Sequence, residues 1–101
     1  MASRLELHSK LKELLGSENV YYQPPNNLLI KYPAIKYSKS DINLKFADNT
    51  PYARMTRYDL IVIDYEPDNE VVDSLLQLPY CSYDRHYIAD NLDHDVLIIY
   101  W

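Results

Sequence analysis

Four consecutive apolar residues, Leu60-Ile61-Val62-Ile63, sit inside a longer stretch that otherwise alternates. A strand that is apolar on consecutive residues is covered on both faces there. Nearer its start, Tyr52, Arg54, Thr56 and Tyr58 share one face, while Ala53, Met55 and Arg57 share the other. A strand behaves this way when its middle crosses a core and its end projects beyond it. Pro67 cannot donate to a sheet ladder and ends the strand. Asp68 is placed to cap the helix that follows, and Glu70 suits its positive N-terminal end. Val72, Leu75 and Leu76 then form one apolar stripe that lies back on the sheet. No residue of this strand, corner and helix has a catalytic character, so the unit reads as a scaffold.

The remaining elements follow from caps, breakers and periodicity. Ser3-Arg4-Leu5-Glu6 is a capping box, Leu7, Leu11, Leu14 and Leu15 recur at helical spacing, and Gly16 supplies a left-handed stop. This predicts a helix over 4–15. Val20-Tyr21-Tyr22 has the composition of a brief strand inside a connector that runs to Asn27, where Pro24-Pro25 breaks both helix and ladder. Residues 28–37 read as a strand interrupted or placed at an edge by Pro33, residues 38–41 as a turn, and residues 42–46 as a shorter strand. Residues 42–65 then form an antiparallel hairpin whose tip, 47–51, stands clear of the core. After Pro79, residues 80–88 read as a strand with Cys81, Tyr83, Arg85 and Tyr87 on one face. A turn at 89–93 leads to a last strand at 94–101, apolar through Val96-Leu97-Ile98-Ile99. The expected fold is α+β. It is a small mixed, mostly antiparallel sheet of four to five strands with two helices packed on it, in the order α-β-β-β-α-β-β, forming one domain over 1–101.

Composition narrows the function classes. The chain has one Gly, so there is little material for a phosphate-cradling loop or a nucleophile elbow. Its net charge of −5 argues against a protein that grips nucleic-acid backbones, which normally carries a basic face. A single cysteine, Cys81, allows no disulfide within the chain and fits a reducing compartment. No apolar run approaches the length of a membrane span, and the polar N-terminus is not a signal peptide. The 11 Tyr against a single Phe suit both core positions and surfaces that become buried against partners.

Three constellations merit weighing. Cys81, Asp84, His86, Asp90, Asp93, His94 and Asp95 are the densest titratable cluster. On a regular strand, however, Cys81 and His86 point to opposite faces, which blocks a nucleophile–base pair or a shared metal. Ser82, Asp84 and His86 share a face but sit about 7 Å apart in sequence-neighbour steps. The plainer reading is a turn built from aspartates. Lys31, Lys36, Lys39 and Lys45 interleave with Tyr32, Tyr37 and Phe46. That pattern suits single-stranded nucleic acid, yet lysines also blunt exposed sheet edges, and the acidic balance favours an edge or a protein contact. The hairpin tip Asp48-Asn49-Thr50-Pro51-Tyr52, with Arg54 and Arg57, carries residue types enriched in interface hot spots, against the plain reading of a solvated turn. Trp101 either closes the core or packs on a partner. No catalytic, metal-binding or cofactor-binding set emerges.

Several stretches, in this order and spacing, carry a family resemblance: Gly16-Ser17-Glu18-Asn19-Val20-Tyr21-Tyr22-Gln23-Pro24-Pro25, Tyr32-Pro33-Ala34-Ile35-Lys36-Tyr37, Asn49-Thr50-Pro51-Tyr52 leading to Arg57-Tyr58, Leu78-Pro79-Tyr80-Cys81-Ser82-Tyr83-Asp84-Arg85, and Asp90-Asn91-Leu92-Asp93-His94. They resemble small tail-completion and minor structural proteins of phages of Gram-positive hosts. The order of elements resembles the tail terminators of long-tailed bacteriophages, the lambda type included, although the chain is shorter than many of these. The resemblance implies a non-enzymatic virion protein without cofactors, at the tail–neck junction, assembled in the host cytoplasm. It implies a homo-oligomeric ring of six copies that caps the head-proximal end of the tail tube, stops its polymerisation and joins it to the head–tail connector. DNA then only passes through the lumen and no membrane is involved. The subunit and tail-tube contacts would fall on Tyr21, Tyr22, Asp48, Asn49, Thr50, Pro51, Tyr52, Arg54, Arg57 and Trp101. Two other readings remain open: another neck component, or a small regulatory binding protein absent from the virion.

Overall fold

The computed structural model describes residues 3–25, 27–47 and 50–101, and for 41–47 and 50–55 it describes the backbone. Helix α1 spans Arg4–Leu15. Ser3 Oγ accepts the Glu6 N–H at 3.2 Å at its start, and Gly16, at φ 74°, donates its N–H to Lys12 O at 2.8 Å at its end. Strands β1 (Val20–Tyr22), β2 (Ala34–Ala47) and β3 (Thr50–Asp64) follow, then α2 (Glu70–Leu76), β4 (Cys81–Ala89) and β5 (Leu92–Tyr100). The five strands form one sheet in the order β1-β2-β3-β5-β4, with β1 parallel to β2 and every other pair antiparallel. The fold is the α+β arrangement that the sequence predicts.

Both helices pack on one face. Leu7, Leu11 and Leu75 meet Val20, Ile35, Tyr37, Tyr58, Leu60, Val62, Leu97 and Ile99 in a single core, with Leu14, Leu15 and Trp101 against its edge. The consecutive apolar run of β3 explains itself here. Leu60 and Val62 face the helices, while Ile63, with Ala34 of β2 and Val96 of β5, is buried on the opposite face. The connector from β1 to β2 enters that second face at Pro24, which shares a concavity with Ile61 and Val96. At the connector's far end, Tyr32 meets Tyr65 edge to face at 6.0 Å.

Several local expectations are corrected. Residues 38–41 do not turn: β2 runs through them, with a bulge at Ser40 between the Lys39–Tyr58 and Asp41–Arg57 pairs. The Ser40 hydroxyl donates across the strands to Arg57 O at 3.2 Å, so pairing with β3 overrides a polar stretch that lacks Gly, Pro or Asn. The strand begins at Ala34, after the cis Tyr32–Pro33 bond, rather than at Leu28, and the third strand of the expected order is supplied by Val20–Tyr22. The cap of α2 is Asn69, one residue later than expected. Its Oδ1 accepts the Val71 N–H at 2.8 Å while its Nδ2 donates to Asp64 Oδ2 at 2.6 Å, tying the end of β3 to the start of the helix. Within α2, Leu75 is buried and Val72 half-buried, but Leu76 is turned out to solvent.

The fully buried Leu60 lies on the central strand beneath both helices. Leu60→Ala is expected to lower unfolding free energy by about 2–5 kcal/mol. Urea denaturation followed by circular dichroism measures it; a loss near zero would show that the core does not close over β3.

Candidate functional site

Pairing along β3 changes at Arg57. From Arg57 to Ile63 it is flanked by β2 on one side and β5 on the other, the outermost β5 pair being Arg57–Tyr100. Thr56 and Trp101 exchange two further backbone bonds, 3.1 and 3.0 Å. Beyond that point Thr50 to Met55 pair with β2 alone. The result is a two-stranded ribbon continuing past the body of the five-stranded sheet. Its register skips Tyr52 between the Lys45–Ala53 and Phe46–Pro51 pairs, a bulge that increases local twist.

The contact candidates are distributed unevenly. Thr50, Pro51, Tyr52 and Arg54 lie on the ribbon strand; Asp48 and Asn49 lie outside the described residues. Arg57 stands at the ribbon's root, with Nε 3.4 Å from Asp59 Oδ1 but not aligned for a hydrogen bond. Trp101 both closes the core edge and anchors the N-terminus: its Nε1–H donates to Ser3 O at 3.0 Å. Its ring also lines a shallow groove with the exposed Leu5. Tyr21 is half-buried on β1. Tyr22 is held by internal partners. Its ring lies 4.9 Å from Tyr37 and 6.4 Å from Tyr58, under the Arg4 guanidinium at 4.2 Å.

The lysine–aromatic pattern on β2 separates in three dimensions. Tyr37 is buried under the helices, whereas Lys36 belongs to the opposite face. There it lines a concavity of about 290 Å³ with Gln23, Ser38, Arg57, Asp59, Asp84 and Arg85. The concavity mixes both signs, and Asp84 and Arg85 already neutralise each other at 2.7 Å.

The titratable cluster on β4 and β5 is also rearranged. A bulge at Asp84, between the Tyr83–Leu97 and Arg85–Val96 pairs, reverses the alternation of the strand. Cys81, Tyr83 and His86 therefore share the helix face, and Asp84, Arg85 and Tyr87 the other. The expected grouping of Cys81 and Tyr83 with Arg85 and Tyr87, and of His86 with Ser82, is corrected. Cys81 and His86 still do not meet. They stand opposite Ile99 and Asp95, four residues apart on β5, or about 14 Å along a strand. Burial pushes the Cys81 thiol up, the direction opposite to that of a reactive thiolate. His86 Nε2 lies 3.0 Å from Asp93 Oδ1, and Tyr83 donates its hydroxyl to the buried Asp95 at 2.7 Å. That bond holds the Tyr83 hydroxyl up to about 12, because losing the proton would place two anions together. Among the described residues no group of three or more His, Cys, Asp or Glu is placed to hold a metal ion, and no helix is long and apolar enough to cross a membrane.

Sequence reasoning missed a half-buried polar chain beneath α1. Arg4 donates to Tyr37 Oη at 3.1 Å, and His8 Nδ1 lies 2.7 Å from the same oxygen, where a ring unprotonated at Nδ1 accepts the Tyr37 hydroxyl proton. The only prior signal was the i, i+4 spacing of Arg4 and His8 on one helix face. No protein-family model, curated protein or solved structure was found to match the chain.

The acceptor role of His8 requires a neutral ring. Burial, then the Lys12 and Arg4 charges, hold His8 below the usual imidazole range. A depressed folded-state value means that the unfolded chain takes up the proton first. Stability is then complete above the unfolded value of about 6.5 and falls as the pH drops through it. Thermal unfolding at pH 7.5 and 5.5 is expected to show a smaller loss for His8→Gln than for the wild type; equal losses would remove His8 from the pH response.

Proposed function

We propose that the protein is a non-enzymatic structural protein of a phage virion, a tail terminator that caps the head-proximal end of the tail tube as a ring, of six copies by the resemblance. The observation that carries this reading is the two-stranded ribbon over Thr50 to Met55, which leaves the body of the sheet at Arg57. A heterologous ring needs an element on each subunit that reaches a different surface of its neighbour. A ribbon bearing Tyr52 and Arg54, rooted at Arg57, is such an element. Exposed Leu5 beside Trp101 offers an apolar surface of the kind an interface core uses.

Charge supports the same reading. A protein at −5 surrounding a DNA conduit repels phosphates, so a genome passes without adhering. Tail tube protein on one side and the head–tail connector on the other are the partners this position requires. The titratable groups are used internally, by Tyr83 with Asp95 and His86 with Asp93, and Cys81 is kept as a thiol; this favours a structural over a catalytic role.

Electron microscopy of lysates from a phage lacking this gene tests the reading. Overlong tails detached from filled heads are the expected outcome. Normal-length tails beside unjoined heads would move the protein to the head side of the neck, and intact virions would overturn a structural role.

A further inference from the structure

One edge of the sheet is left open over nine residues, and its chemistry specifies what completes it. Among the described residues strand β4 pairs with β5 on one side only, and along it Tyr83 and Ile88 are 44% and 69% exposed. The direction of each backbone group follows from the hairpin. Tyr100 donates its N–H to Tyr80 O at 3.1 Å, so the Tyr80–Tyr100 rung is bonded. Bonded rungs alternate in an antiparallel pair, so Ser82 bonds inward and Cys81 and Tyr83 present their N–H and C=O outward. At the other end, Asp90 and Asn91, at φ 53° and 62°, form a two-residue turn closed by the bonded Ala89–Leu92 rung. Counting back, Tyr87 and Arg85 bond inward, and Ile88 and His86 present outward. The bulge at Asp84 switches the outward set from odd to even numbers.

We infer that β4 pairs antiparallel with β4 of a second copy of this chain, about a two-fold axis between Asp84 and Arg85. In that register Tyr83 lies opposite the second copy's His86, and Cys81 opposite its Ile88. Every outward group then meets an outward group, and helix-face side chains meet helix-face side chains. Asp84 lies opposite Arg85 of the second copy and Arg85 opposite its Asp84, an alternating square of four charges on the other face. A slip of one residue sets outward groups against inward ones, and a slip of two separates the charges. An unbulged strand would pair with itself only through sums of equal parity, so the bulge that spoils other registers selects this one. The pairing also buries Tyr83 and Ile88, which otherwise make β4 an aggregation-prone edge. It involves neither the ribbon nor Trp101 and so stands apart from the ring reading.

Sedimentation velocity of the full chain tests the pairing through charge reversal. The wild type is expected to shift, as concentration rises, to twice the 12.0 kDa chain mass. Asp84→Arg and Arg85→Asp each set like charges against like across the axis, and each alone is expected to lose the dimer. An equimolar mixture is expected to regain it as a heterodimer. In the wild type, residue-resolved amide exchange at Tyr83 and His86 is expected to slow with concentration while Tyr87 does not change, a readout independent of any variant's folding. Wild type at single-chain mass throughout, or variants that dimerise as well as it does, would overturn the inference. A six-copy species that both reversals leave intact would overturn it while leaving the ring reading standing.

Discussion

The fold depends on β3 being paired on both sides for only half of its length. Where β2 and β5 both flank it, from Arg57 to Ile63, Leu60 and Val62 are buried on one face of the sheet and Ile63 on the other. That explains why apolar residues can follow one another without alternation there. The double pairing stops at the Thr56–Trp101 exchange, where the chain's last residue also reaches Ser3 at the start of α1. One terminus thus closes the sheet and fixes the helix that covers it. Past this closure β3 has one neighbour, and a two-stranded ribbon has too little buried surface to be stable alone.

The tyrosines show how a chain with one Phe builds an aromatic core. Tyr37 and Tyr58 are buried, with Tyr22 packed against both, and the Tyr37 hydroxyl sits between Arg4 and His8. A buried hydroxyl left alone would cost about 1–3 kcal/mol, so the two helix residues are part of the same solution as the ring. Tyr65, Tyr80, Tyr83 and Tyr87 remain exposed, chiefly around β4. The tyrosine surplus therefore divides between a core that needs polar partners and an edge that a second chain would cover.

Much of this was legible in the sequence because the signals are local. Ser3 and Gly16 bracket α1 through their own backbone geometry, and the leucines at 7, 11, 14 and 15 all reach the core, while the long strand stops at Asp64, ahead of Pro67. The misreadings have a common physical cause, since each is a tertiary pairing without a local signature. Residues 38–41 have turn composition but are held extended by β3 through the Ser40 bulge. The bulge at Asp84 exchanges the faces of everything after it, and no residue there announces it, so Arg85, His86 and Tyr87 lie on the faces opposite to those that regular alternation gives. Asn69 won the cap from Asp68 because its amide also reaches Asp64, a contact that exists only once strand and helix meet. The ribbon was legible as alternation extending beyond the apolar run, although what it touches is not encoded in that pattern.

Residue-resolved amide exchange of the isolated chain tests most directly whether β3 has two regimes. Two-sided pairing implies that the amides of Leu60 and Val62 exchange only through global unfolding, with the same free energy and denaturant dependence as the whole chain. The amides of Ala53 to Met55, paired on one side at most, are expected to exchange through local opening at much lower free energy. Equal protection on both sides of Arg57 would contradict this and would mean that the ribbon is as firmly held as the core.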